Sequence, residues 1–165
     1  MENSHLYGIL SVLSVFAALG APEGQRGRSF VSAGLLCAGW WLFIASWSDT
    51  PPASLFWAIG LPVEPVDIWA VTDALCAAII LALAYQYWWG KALWALLVCQ
   101  LALHVIHQHG GLGFAPYSAA LDVLFLAQLA VLFLLGGGGV VAAVSDRNRH
   151  VRDARHPYRT ASQEE

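Results

Sequence analysis

Asp73, His104 and Asp122 are ionisable residues set inside long apolar stretches. A carboxylate, an imidazole and a second carboxylate brought together can bind and pass a proton, hold a ligand or metal, or tie helices to one another. Gln100, His104 and His107 stand at i, i+4 and i+7, one stripe of a helix. Gln86 and Gln128 add amides in neighbouring apolar stretches. Counted from the ends of their stretches at ~1.5 Å per residue, Asp73, His104 and Asp122 lie at a similar depth, roughly 6–9 Å below one boundary. Three ionisable groups at one level are costly unless they meet. The expectation is therefore a polar cluster of Asp73, His104 and Asp122, with His107, Tyr117 and Gln100 close by. An imidazolium between two carboxylates lowers the cost of all three charges. Helix glue, a proton or ion pathway, and a ligand or metal site are the three readings of such a cluster. Hydrogen bonds between membrane helices average below ~1 kcal/mol, so glue alone is a small return for three ionisable groups.

A metal at this place would use His104 and His107 with a carboxylate. The i, i+3 spacing of two histidines does not make a site by itself, and no metal is expected. A haem needs axial ligands on facing helices; of the other histidines on that side, His109 is already in the loop and His5 stands at the very end of its stretch. No cofactor is expected. The chain has no GxSxG, HExxH, P-loop or dinucleotide fingerprint, so it does not read as an enzyme. Cys37, Cys76 and Cys99 each lie in apolar surroundings without a CxxC pair, and read as small apolar residues.

The elements that must position the cluster follow from composition. Of the 165 residues, 58% are hydrophobic and 12% charged. A soluble domain carries about 25% charged residues, so a membrane protein is the first reading. Five apolar stretches are long enough, or nearly so, to span a core of ~30 Å. They cover about 5–21, 29–47, 68–89, 91–108 and 117–135. The fold expected is an all-α polytopic transmembrane bundle over 1–145. A charged tail over 146–165 is expected to be disordered beyond its first turns. No basic residue precedes the first apolar run, and Arg26 and Arg28 follow it, so that run is read as a retained helix rather than a secretory leader.

The eight Lys and Arg residues set the orientation. Arg26 and Arg28 follow the first span, Lys91 the third, and Arg147, Arg149, Arg152, Arg155 and Arg159 the fifth. Threading the chain back and forth puts all of them on one face, which marks the cytoplasmic side. The expected topology is N-terminus outside and C-terminus inside, in the inner membrane. The short basic tail is interrupted by Asp146 and Asp153, which argues against nucleic acid as a partner.

Proline pairs bracket residues 53–61, a stretch too short to cross, which reads either as an interfacial or re-entrant segment on the outer face anchored by Phe56 and Trp57 or as a loop lying across the bundle helices. Gly90 and Lys91 read as a tight turn between the third and fourth spans. Gly136, Gly137, Gly138 and Gly139 form a run that lowers helix propensity by about 1 kcal/mol per residue. A hinge near the inner boundary is one expectation there; a close helix contact is the other.

These features together resemble phage holins and similar small phage-encoded inner-membrane proteins. The resemblance is architectural: apolar spans, a tight turn at Gly90 and Lys91, and a charged tail from Asp146 to Glu165. It implies homo-oligomers that permeabilise the bilayer, and it carries over no site residue. Five spans is more than most holins have. The competing classes are an accessory or assembly subunit with a membrane-protein partner, and a small proton or ion pathway built on the Asp/His cluster.

Overall fold

A computed structural model describes residues 4–47 and 65–155, which form α-helices joined by turns. The helices are α1 (Ser4–Ala18), α2 (Glu23–Trp47), α3 (Pro65–Ala84), α4 (Trp88–Gln108) and α5 (Phe114–Arg155). Each packs on its neighbour in the chain, and α1 also packs on α5, so the bundle closes as a ring. Tight turns force α1–α2, α3–α4 and α4–α5 to run antiparallel. Where the ring closes, α1 and α5 run parallel: Tyr7 meets Phe125, Ala17 meets Gly136 and Gly20 meets Gly139, at a near-constant offset.

Among the described residues, three helical stretches are long and apolar enough to cross a bilayer: Asp67–Ala84, Trp88–Gln108 and Phe114–Arg147. Leu6–Ala18 of α1 is apolar and shorter. The surface is apolar, with Leu6, Phe16, Trp41, Leu75, Val105, Val123 and Leu134 exposed. The interior holds Ser11, Ser14, Ser29, Ser32, Gln100, His104 and Gln128, all buried. A water-soluble fold distributes these types the other way, and exposed apolar area on this scale marks contact with lipid or protein.

The core forms because each helix carries a narrow stripe of small or apolar residues. On α4 the stripe is Leu93, Leu97, Gln100 and His104, at alternating spacings of four and three. On α1 it is Ser11, Ser14, Ala18 and Ala21 just past the helix end, all nearly inaccessible. Small side chains let backbones approach closely where no water is available to drive association. Ser29 Oγ uses that closeness to donate to the Ala18 carbonyl across the α1–α2 contact, at 3.1 Å.

Several boundaries differ from the sequence expectation. The turn between α3 and α4 is Tyr85, Gln86 and Tyr87, rather than Gly90 and Lys91. Gly90 sits in the first turn of α4, where a Cβ would overlap the Ala84 carbonyl group. Its role is to let α4 nest against the end of α3. The aromatic run hides this turn because Tyr85, Tyr87, Trp88 and Trp89 are as apolar as the helices on either side. Gln86 consequently lies exposed in the turn instead of deep in a span. Pro22 precedes α2 and accepts its first hydrogen bonds from Gln25 and Arg26, so Gly24 belongs to α2.

The glycine run does not break α5, which continues as one helix to Arg155 and takes in the first part of the charged tail. Gly136 and Gly139 face the backbone of α1 at Ala17 and Gly20, and a Cβ on either would overlap those carbonyl groups. Here the close contact, rather than a hinge, describes the run. The interfacial segment expected over 53–61 lies outside the described residues.

Candidate functional site: a histidine shared by three helices

His104 is 1% exposed and has partners on both ring nitrogens. Its Nδ1 is 2.6 Å from the Tyr117 hydroxyl of α5. Its Nε2 is 3.0 Å from Asp73 Oδ2 of α3, forming the ion-pair geometry of the site. One imidazole thus joins α3, α4 and α5. An ionised carboxylate can only accept, so the bond from Nε2 is an N–H donating to Asp73. A neutral ring then accepts at Nδ1 from the Tyr117 O–H, and all three groups are satisfied.

Why these residues meet is set by helix geometry. On α3, Trp69, Asp73, Ala77, Ile80 and Ala84 recur at spacings of four and three and form the face toward α4. The α3–α4 turn fixes the antiparallel register, which also pairs Gln108 Nε2 with Asp67 Oδ1 at 2.7 Å near the end of the bundle. Tyr117 enters from α5 because the loop before it is short and closed. Gly110, at φ 72°, lies in the left-handed region that favours glycine. Its N–H bonds to the His107 carbonyl while the Gly111 N–H bonds to the Ile106 carbonyl, the paired bonds of a Schellman cap. His107 Nδ1 donates to the Leu112 carbonyl at 2.8 Å and holds the loop down.

Aromatic rings wall the site. His107 stacks on Tyr117 with centroids 4.1 Å apart and planes 8° from parallel. Trp69 lies 6.1 Å from the His104 ring. Asp73 is the open member, with 20% of its side chain exposed. A hydrogen-bonded chain in such apolar walls is electrostatically stronger than in water, and its unpaired members cost more.

On the other side of His104 the polarity ends quickly. Gln128 Nε2 donates to Gln100 Oε1, one turn further along α4, and both amides are buried. Ile80, Leu93, Leu97 and Leu132 follow, each at most 1% exposed. The next polar group on the buried stripe of α4 is Trp89, whose indole N–H donates to Gln25 Oε1 at 2.8 Å. The site therefore has an open side at Asp73 and a closed apolar layer behind it.

Of the residues expected in the cluster, Asp73, His104, Tyr117 and His107 come together, and Gln100 forms a separate amide pair just beyond. Asp122 stands apart. Among the described residues, no hydrogen bond or ion pair joins it to Asp73, His104 or Tyr117. Asp122 and Tyr117 are five apart on α5, which turns them to different faces. Asp122 shares its face with Phe125 and Leu129, which pack toward Tyr7 and Trp40. Depth counted along each helix says nothing of the side to which Asp122 turns. Gln128 and Trp69 were not expected at the site; Gln128 is eleven residues after Tyr117, three full turns, and that spacing was available in the sequence.

Among the described residues no group of three or more His, Cys, Asp or Glu is arranged to hold a metal ion. What the arrangement can do is hold one additional proton with little movement of heavy atoms. With a proton on each ring nitrogen, Nδ1 donates to the Tyr117 oxygen, and the hydroxyl need only rotate its own hydrogen away. No family model, curated protein or solved structure matches this chain.

Proposed function

We propose that this chain is a small, non-enzymatic integral protein of the inner membrane that takes up and releases a proton at Asp73, His104 and Tyr117 from the outer side. In this reading α1 and α2 cross as well, giving five spans with the N-terminus outside and the C-terminus inside. The distribution of basic residues supports that orientation. Arg28 Nη1 donates to the Tyr87 hydroxyl of the α3–α4 turn at 3.4 Å, and Lys91 Nζ lies 5.2 Å from the Tyr85 ring centroid. Arg147 follows on α5 beyond the Gly20–Gly139 contact. Basic residues gathered at one end of a bundle mark the cytoplasmic side.

One observation carries the reading: a buried histidine bonded at both nitrogens, one bond going to a carboxylate that is still partly exposed. Intramembrane ionisable residues that pair inside a bundle mark proton and ion paths. The apolar layer at Leu93, Leu97 and Leu132 supports access from one side. Infrared spectroscopy of the reconstituted protein between about pH 5 and 8 tests it, this being the window in which histidine sites change charge. A carboxyl band that responds to pH and vanishes in Asp73→Asn is expected. A cluster that keeps one protonation state throughout is a fixed helix clamp, and the proposal then fails.

A second reading, holin-like permeabilisation by oligomers, draws on the apolar outward face of α5. Controlled expression while following membrane potential separates the two. The closed apolar layer goes with an intact potential; abrupt depolarisation with leakage of a cytoplasmic enzyme goes with a lesion.

A further inference from the structure

The end of the bundle away from Asp73 holds a second set of polar side chains that the proton site does not use. Arg28 of α2 lies over the Tyr87 ring of the α3–α4 turn, its guanidinium carbon 5.6 Å from the ring centroid. Its Nη1 donates to the Tyr87 hydroxyl at 3.4 Å, and that hydroxyl donates onward to the Gly24 carbonyl at 3.4 Å. In the same turn the Tyr85 ring carries Lys91 Nζ at 5.2 Å. Both contacts fall within the ~6 Å reach of a cation–π attraction. Gln86, between the two tyrosines, is exposed.

The platform under Arg28 is fixed from below. Tyr87 stacks on Trp89 with centroids 5.7 Å apart and planes 7° from parallel. Trp89 is fully buried, and its indole N–H is held by Gln25. Arg28 is therefore positioned by contacts that run from α2 through α4 and the turn back to α2. Its bond to a neutral hydroxyl uses one N–H and leaves the rest of the guanidinium fork, and its charge, open to a ligand. Among the described residues no carboxylate forms an ion pair with Arg28 or Lys91. Glu23, the acidic residue in the first turn of α2, is exposed.

Cations held in place without a counter-charge favour an anion, because their ordering cost is met before it binds. A guanidinium fork matches the oxygens of a phosphate two at a time, and an ammonium adds a point charge. The rings beside the cations indicate what carries that phosphate. Tyr85 and Trp88 are each 61% exposed, and such rings suit a place where one end of a ligand is apolar and the other wet. A small soluble phosphate ester gains nothing from them, whereas a phosphodiester attached to acyl chains does. We propose that Arg28, Gln86 and Lys91 bind the phosphodiester of an anionic phospholipid, whose apolar part lies against Tyr85 and Trp88. Arg28 and Lys91 supply the charge, and the Gln86 amide N–H donates to the headgroup. The bound lipid bridges the start of α2 to the α3–α4 turn. The assignment uses none of Asp73, His104 and Tyr117, so it stands or falls apart from the proton reading.

Native mass spectrometry of the full chain in detergent tests this, with phosphatidylglycerol titrated against phosphatidylcholine of the same acyl chains. A one-lipid adduct should form with phosphatidylglycerol at a several-fold lower concentration. Arg28→Gln and Lys91→Gln should each weaken it about fivefold, the scale of one basic residue near an anionic headgroup. Lys91→Arg should retain it. Arg147→Gln, on α5 and outside the turn, should leave it unchanged. Equal adducts of the two lipids would overturn the proposal. So would a loss in Arg147→Gln as large as in Arg28→Gln, which would mean a diffuse attraction to the whole basic end. Inorganic phosphate and glycerol 3-phosphate separate the two sources of the anion: displacement of the lipid by either at millimolar concentration would assign the site to a free phosphate and overturn the lipid. Arg28 and Lys91 are exposed, so unfolding temperatures without phosphatidylglycerol should match the wild type. Should Arg28→Gln unfold early, the contrast of Lys91→Gln with Lys91→Arg decides.

Discussion

Asp73 and His104 are 31 residues apart in the chain and 3.0 Å apart in the fold. Each arrives on a helix that would pay heavily to bury it alone, and together with Tyr117 they make α3, α4 and α5 one unit. The stability of that unit and its chemistry are therefore coupled, and the two can be separated by substitution.

His104→Ala leaves a partly buried carboxylate and a buried hydroxyl without their partner. Breaking a buried pair by removing one member costs about 3–5 kcal/mol. Tyr117→Phe removes one neutral hydrogen bond and should cost only ~1 kcal/mol. Unfolding of the two variants in mixed micelles should rank them in that order. Equal losses would mean that packing, and not the carboxylate, dominates at His104.

Asp73→Asn should shift the His104 Nε2 resonance in nitrogen NMR, because the carboxylate bonds directly to that nitrogen. Asp122→Asn should leave that resonance as it is in the wild type, since Asp122 faces the Tyr7–Phe125 side of α5. A response of equal size in both variants would place Asp122 in the cluster after all.

Adjacent glycines of α5 should behave oppositely. Gly136→Leu drives a side chain into the Ala17 carbonyl and opens the α1–α5 closure, at a cost on the order of 1–3 kcal/mol. Gly138→Ala meets open space and gains about 1 kcal/mol of helix propensity. Thermal unfolding of the two variants checks the contrast; two destabilised proteins would mean that the run flexes as a hinge.

The orientation predicts that a reporter active only in the cytoplasm works when fused after Glu165. Activity there of a reporter that needs the periplasm would reverse the topology, and with it the side from which Asp73 is reached.

The all-helical fold, the apolar surface and the approximate helix positions were legible in the sequence, since apolar length and prolines act locally. So was the Gln100–His104–His107 stripe, because 3.6 residues per turn fixes which side chains of one helix share a face. The α3–α4 turn was misplaced because aromatic residues are equally at home in helix and turn at a membrane boundary, and only the overlap of Gly90 with Ala84 reveals where the backbone reverses. For the glycine run, propensity argued for a break, yet packing against α1 keeps the helix intact: tertiary contact outweighs a local preference of about 1 kcal/mol per residue.

Depth along each helix is a one-dimensional property, and the expectation of one level for Asp73, His104 and Asp122 came from counting residues alone. Rotation of one helix against another depends on which small and large side chains interlock around the whole ring. That rotation, decided only in the tertiary structure, turned Tyr117 toward His104 and Asp122 away from it.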